Sequence, residues 1–167
     1  MHELTNKQFT HLKIHTQYSI CEGALKTSDL AKYCKTNKIR AVGLCDSNNL
    51  CGALEFSESI AKSKTQPIIG TQINIEYKGL SGKIPLFAKD LEGYKNLIKL
   101  SSKSFLEIND NEEPHCKIDD IELNRNGLIL LTGSFDGLVG KLFSKNLTDE
   151  IIDLAKRFKK IFNDNFY

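Results

Sequence analysis

The chain has 167 residues, 40% hydrophobic and 26% charged, with three prolines and no tryptophan. That length supports one domain with a sizeable core, and the apolar fraction excludes a wholly disordered chain. A formal net charge of +2 neither demands nor excludes nucleic acid. No apolar run approaches the roughly 18–20 residues that span a bilayer, and the opening residues carry no apolar signal-peptide core, so a cytoplasmic protein with no membrane partner is expected.

Phe9 to His15 alternates, with Leu12 and Ile14 on one side and His11, Lys13 and His15 on the other, which is the period of a β-strand. A turn at Glu22-Gly23 leads to Thr27-Ser28-Asp29, a good N-cap cluster, and to a helix carrying Leu30, Ala31, Tyr33 and Cys34 that stops at Asn37. Ala41 to Cys45 reads as a short buried strand ending at Asp46. Beyond a loop at Asn48-Asn49, the spacing predicts a helix from Leu50 to Lys64. Pro67 opens a strand that alternates through Ile73, Ile75 and Tyr77; Gly79 to Lys83 reads as a polar turn and Ile84 to Ala88 as a strand. Leu91 to Phe105 is predicted helical. Ile108 to Asn126 is polar and reads as a surface excursion with one helical turn near Ile118–Ile121. Gly127 to Gly133 reads as a strongly buried strand and Gly137 to Phe143 as a short helix. Thr148 is placed to cap an amphipathic helix with Ile151, Leu154, Phe158 and Ile161 on its apolar side, and Phe166-Tyr167 starts a further strand. Strands alternating with helices imply an α/β fold with a largely parallel sheet and helices outside.

The five cysteines (Cys21, Cys34, Cys45, Cys51 and Cys116) are odd in number and irregular in spacing, so reduced thiols are expected rather than a disulfide framework. His2 and His115 are isolated. His11 and His15 would share a strand face but lie roughly 13 Å apart at ~3.3 Å per residue, too far for one metal. A closer pair needs a histidine at position 13, where Lys13 stands; a protonated lysine offers no lone pair and repels a divalent cation. In parallel α/β folds the site lies at the strand C-termini, which here present His15, Asp46, Thr71 with Gln72, Lys89 with Asp90, and Ser134. Ser19 and Ser134 sit in no Gly-x-Ser-x-Gly elbow and read as turn hydroxyls. The glycine-rich stretch Gly133 to Gly140 lacks the ending of a P-loop. Lys156, Arg157, Lys159 and Lys160 read as a solvated helix face.

Taken in order, five segments resemble the polymerase and histidinol phosphatase (PHP) domain, in the branch found at the N-terminus of the alpha subunit of bacterial DNA polymerase III. They are Phe9 to Ser19 with Glu22-Gly23-Ala24; Gly43-Leu-Cys-Asp-Ser-Asn-Asn-Leu-Cys-Gly-Ala-Leu-Glu-Phe56; Pro67-Ile-Ile-Gly70; Leu86-Phe-Ala-Lys-Asp-Leu-Glu-Gly-Tyr-Lys-Asn-Leu97; and Gly127-Leu-Ile-Leu-Leu-Thr-Gly133. The resemblance implies a distorted β/α barrel, seven-stranded in the family, with a cluster of zinc or manganese ions at the strand C-termini. The family's first-strand His-x-His falls on Lys13 and His15, its next acid on Glu22, and its Asp-His pair on Asp46 and Ser47. Its glutamate falls on Gln72, a further histidine on Lys83, and its cysteine on Ser134. Five ligand positions are thus changed, two of them to lysine, and only His15, Glu22 and Asp46 remain as metal ligands if any ion binds.

The resemblance therefore implies no catalytic residue and no cofactor in this chain. It implies a scaffold that packs on the remainder of the polymerase alpha subunit and docks the proofreading exonuclease (epsilon) subunit. DNA would be met only through the full-length enzyme, whose polymerase region uses magnesium. The alternative is an active metal-dependent 3'-5' exonuclease or phosphoesterase built on His15, Glu22 and Asp46. Against the family the chain is short. Residues 1–167 correspond to the N-terminal part of the PHP domain, about five barrel strands, and an N-terminal fragment of a replicative polymerase is expected.

Overall fold

The computed structural model describes residues 9–167, so His2 lies outside the described residues. The elements in chain order are α1 (Thr27–Thr36), β1 (Ala41–Ser47), α2 (Ala53–Lys62), β2 (Gln66–Tyr77), β3 (Leu80–Ala88), α3 (Leu91–Leu106), β4 (Cys116–Lys117), α4 (Ile118–Leu123), β5 (Leu128–Leu130), α5 (Leu138–Ser144) and α6 (Thr148–Phe162), followed by a 3-10 turn at Asn163–Asn165.

The strands form one mixed sheet in the order β1-β2-β3-β5, with β4 beside β2. β2 is the hub: its first half pairs with β1 from Gln66 to Gln72, and its second half pairs with β4 at Ile75 and Glu76. Both pairings are parallel, and α2 supplies the crossover that the β1–β2 pairing requires. The remaining pairings correct the expectation of a largely parallel sheet, because β3 runs antiparallel to β2 and β5 antiparallel to β3. The cause is local. Lys78 and Gly79, at φ 50° and 77°, form a two-residue hairpin turn whose left-handed backbone suits the twist of the flanking strands. Leu80 to Lys83, read from its polar residues as turn, is therefore ladder.

The first segment also departs from expectation. Phe9 to His15 is not a regular strand; it meets β1 through an isolated bridge between Ile14 and Leu44. Gly43 N–H donates to His11 O at 2.7 Å and Cys45 N–H to Ile14 O at 2.8 Å. Between those bonds Ile14 N–H turns back to Leu12 O at 3.2 Å, which breaks the ladder. The approach is close enough that a Cβ at Gly43 would lie 2.5 Å from Leu12 O. The side-chain alternation survives the kink, with His11 and Lys13 exposed and Leu12 and Ile14 half-buried.

Helix ends differ from the sequence for reasons the contacts supply. Thr27 is the first residue of α1 rather than its cap, because its hydroxyl is turned to Glu55 on α2. Thr148 likewise opens α6 without capping it. Asp90 does cap α3, accepting from Gly93 N at 2.9 Å. The polar excursion holds β4 and a short α4 after it, with Lys117 N–H donating to Asp120 Oδ2 at 2.8 Å. The buried strand read over Gly127–Gly133 narrows to Leu128–Leu130, where the backbone next bends at Gly133. Phe166 bridges Leu130 in parallel, and Thr132 N–H donates to Tyr167 O at 2.8 Å, so the expected start of a further strand forms as a bridge on the free side of β5. The sheet is open among the described residues.

Two apolar cores result. The larger lies under β2 and β3 and takes Ile73, Ile75, Ile84, Leu86, Leu97, Leu100, Leu154 and Phe158. The smaller joins α1 and α2 to β1 through Leu30, Cys34, Val42, Leu44, Phe56 and Ile60. No helix among the described residues is long and apolar enough to cross a membrane.

Candidate functional site

The sequence positions singled out as site residues come together at one end of the sheet. Lys13 and His15 arrive on the kinked first segment, and Glu22 on the turn that follows it. Asp46 and Ser47 end β1, and the parallel register sets Ser47 opposite Gln72. Lys83 belongs to β3, two residues from the Gln72 partner Pro85. Ser134 follows β5. Lys89 and Asp90, expected at the same end, are not there: β3 is antiparallel, so its C-terminus falls at the opposite end of the sheet.

Hydrogen bonds divide these side chains into three groups. In the first, Glu22 accepts from the Lys83 ammonium and from the Ser47 hydroxyl. Lys83 Nζ also lies 3.3 Å from Ser47 Oγ, and Gln72 Nε2 donates to Ser47 Oγ at 2.8 Å and toward Glu22 Oε2 at 3.5 Å. Gln72 is buried, and its Oε1 is a buried acceptor with no hydrogen-bond partner among the described residues. In the second group, Asp46 is fully buried and both of its carboxylate oxygens are taken. Oδ1 accepts from Thr16 N at 2.6 Å and Ser19 Oγ at 2.6 Å, and Oδ2 from Thr16 Oγ1 at 2.7 Å. Thr71 Oγ1 donates to the Asp46 carbonyl at 2.6 Å. His15 Nδ1 sits 3.4 Å from Ser19 Oγ, which joins it to this group. In the third, Lys13 Nζ donates to Ser134 Oγ at 3.2 Å.

The electrostatics follow from these contacts. Burial lowers the His15 pKa, and the Lys13 charge beside it lowers it further against the opposing pull of Glu22 and Asp46. For Glu22 burial alone would push the carboxyl up, but hydrogen bonds from Lys83 and Ser47, with the Lys83 charge, hold it below the usual range. A cleft of about 550 Å³ opens beside this pair, lined by Glu22, Asn48, Asn74, Lys83, Glu113, Pro114, Asp136 and Lys141.

Metal ions need lone pairs free to ligate. Asp46 spends both oxygens on buried donors, and Glu22 spends its oxygens on an ammonium and a hydroxyl. Among the described residues no three His, Cys, Asp or Glu side chains gather into a group able to hold a metal. The side chains present therefore do not fit a divalent cluster. Thr16 was the residue that sequence reasoning missed, and Ser19 gains a role it was not given: both serve Asp46. The available signal was their spacing of three, which brings both hydroxyls to one point when the chain turns, as it does where Ser19 N–H donates to Thr16 O at 2.9 Å.

Comparison with known proteins shows the family. The profile of the PHP domain family matches residues 11–167. The DNA polymerase III subunit alpha of Rickettsia bellii is 36% identical over 161 residues, which cover 96% of this chain and 14% of that protein. The subunit of the same name from Haemophilus influenzae is 34% identical over 164 residues, and that of Caulobacter vibrioides 34% identical over 177 residues, covering 100% of this chain and 15% of the relative. The chain thus spans 14–15% of the length of these curated relatives. Among solved structures, a putative metal-dependent phosphoesterase from Bifidobacterium adolescentis superposes with a TM-score of 0.48 at 17% identity, over 59% of this chain and 33% of that one.

Proposed function

This chain belongs to the PHP domain family, and on that premise we propose that it is a metal-free, structural form of the domain, serving a replicative DNA polymerase alpha subunit as a scaffold rather than as a hydrolase. The observation that carries the reading is the ion pair between Lys83 and Glu22. An ammonium group occupies the carboxylate that a metal would need, and repels any divalent ion brought to it. The buried Asp46 supports the same reading. Its carboxylate is consumed in tying the Thr16–Ser19 turn to the end of β1, a task of folding and not of chemistry.

A scaffold acts through its surfaces. The surfaces in this reading face the remainder of the polymerase alpha subunit and the proofreading exonuclease (epsilon) subunit, with DNA reached only through the assembled enzyme in the cytoplasm. Magnesium belongs to the polymerase region and zinc or manganese to no site here. Two measurements test the proposal. Elemental analysis of the purified chain is expected to find no stoichiometric zinc or manganese, and assays with Mn²⁺ or Zn²⁺ no hydrolysis of single-stranded DNA. Bound metal near one equivalent with metal-dependent hydrolysis would refute the structural reading in favour of an active 3'-5' exonuclease or phosphoesterase. Co-purification with the exonuclease subunit of the same organism tests the docking role, and a complete alpha subunit that still binds it after deletion of this segment would count against that role.

A further inference from the structure

The helix α3 lies on the sheet through Gly93, Asn96, Leu97, Leu100 and Ser104, which are buried. Its opposite side is apolar as well. Leu91, Ile98 and Phe105 stand at a seven-residue repeat and are 68%, 44% and 51% exposed. Every seventh residue returns to nearly the same side of a helix, so the three form a stripe along the length of α3. Leu106, also exposed, widens the stripe at its C-terminal end. Single apolar residues on a surface need no explanation, but a run kept in register along one helix does.

The two flanks of the stripe differ. On one, Lys95 and Lys99 are exposed, and among the described residues neither forms an ion pair, whereas Lys103 is held by Glu107 and Asp120. Glu92, the acid on that flank, accepts from Asn126 Nδ2 at 3.1 Å. The other flank carries no formal charge: Tyr94 packs against the smaller core, and Ser101 Oγ donates to Asn48 O at 3.2 Å.

The geometry points to this face of α3 as the docking site for one amphipathic helix of another polypeptide, with apolar side chains on a seven-residue repeat and carboxylates set to meet Lys95 and Lys99. The proposal rests on the scaffold reading above and adds the face that a scaffold would use and the chemistry of what covers it. A seven-residue repeat is the spacing at which one helix receives another, and a strand has no matching period. A second copy of this chain fits poorly, because pairing α3 with itself brings like-charged lysines together. A lipid surface fits poorly too. A helix lying in a membrane needs a broad apolar side with cations beyond it, whereas this stripe is narrow and its cations stand on one flank only.

The test uses two labelled helical peptides of about three heptads, with leucine at every seventh position and flanks of glutamate in one and lysine in the other. Fluorescence anisotropy is expected to show the glutamate peptide binding the 167-residue chain at about 10 μM, more weakly as salt rises, and the lysine peptide at least about tenfold more weakly. Ile98→Gln is expected to weaken the glutamate peptide about tenfold or more. Lys95→Glu/Lys99→Glu is expected to reverse the preference between the peptides. These side chains are exposed, so circular dichroism should find the variants folded; should Ile98→Gln unfold, Phe105→Gln carries the same expectation. Failure of the glutamate peptide to bind overturns the proposal. So do equal affinities for the two peptides, or binding that Ile98→Gln leaves unchanged. A dimer of the unvaried chain that Ile98→Gln abolishes overturns it in favour of a second copy, and flotation with phosphatidylglycerol vesicles that Ile98→Gln abolishes overturns it in favour of a lipid surface. Metal-dependent DNA hydrolysis by the unvaried chain brings down the scaffold reading itself and is measured apart from any of these.

Discussion

Replacing Asp46 with alanine is the sharpest perturbation of the pocket. The side chain is fully buried and accepts three hydrogen bonds, from Thr16 N, Thr16 Oγ1 and Ser19 Oγ, at 2.6–2.7 Å. Alanine leaves those donors buried and unpaired, and Thr16 and Ser19 are themselves inaccessible to water. Each orphaned donor costs about 1–1.5 kcal/mol, so the sum is about 3–4 kcal/mol. For a chain of this size that corresponds to a fall in melting temperature of about 10 °C. The estimate exceeds the roughly 1 kcal/mol expected if Asp46 merely capped the following helix. The structure removes that role, since the α2 cap position is Gly52 with no side-chain cap. Asparagine keeps the shape and one acceptor oxygen but turns an NH₂ group toward donors, so about half the alanine cost is expected. Ser19→Ala removes one bond and should cost about 1 kcal/mol. Thermal and urea unfolding followed by circular dichroism checks the order of the three. An Asp46→Ala midpoint within about 1 °C of the unvaried chain would refute the reasoning.

Five further outcomes are expected. Gly43→Ala brings a Cβ to 2.5 Å from Leu12 O, so it should destabilise by about 2 kcal/mol or more and increase proteolysis of the first segment. The lowered His15 pKa means that the unfolded chain binds the extra proton first. Stability from this group is complete above the unfolded value of about 6.5 and is lost as pH falls through the folded value, so His15→Gln should flatten the urea midpoint against pH just below 6.5. Glu22 behaves with the same sign at lower pH: its contribution is present above the ordinary carboxyl value and disappears as pH falls through the depressed one, a step that Glu22→Gln should erase. Lys13→His should give no DNA hydrolysis, since Ser47, Gln72, Lys83 and Ser134 are unchanged; measurable Mn²⁺-dependent release of nucleotides would contradict this. Burial pushes the Cys45 and Cys116 thiols up to about 12, so brief iodoacetamide treatment at pH 8 should label the exposed Cys21 and Cys51 and spare those two by mass spectrometry.

How much of this was legible in the sequence varies with the range of the forces involved. The helices and the buried strands at Ala41–Ser47 and Gln66–Tyr77 were readable because periodicity and burial are local patterns. Strand direction was not, because it turns on two residues, Lys78 and Gly79, whose left-handed backbone carries no hydrophobic signal. The kink at Ile14 was hidden for the same reason: side chains kept their alternation while one backbone hydrogen bond changed course. The convergence of Lys13, His15, Glu22, Asp46, Ser47, Gln72, Lys83 and Ser134 at one end of the sheet followed from resemblance and strand ends. Their grouping did not. Which carboxylate meets an ammonium and which meets hydroxyls depends on the register of β1, β2 and β3 and on the Thr16–Ser19 turn.

The central position of β2 bears on how the molecule comes apart. Three strands hydrogen-bond to it, and Ile73 and Ile75 along it are wholly inaccessible. Its hairpin with β3 closes through a two-residue turn, a contact that forms within microseconds, whereas its pairing with β1 must wait for the α2 crossover. Neither apolar core can open without exposing one side of the same strand. Partial openings at the chain ends therefore leave β2 covered. Its amide hydrogens at Ile73 and Ile75 exchange with solvent only when the whole sheet is lost, which makes them internal clocks for global unfolding in hydrogen-exchange experiments.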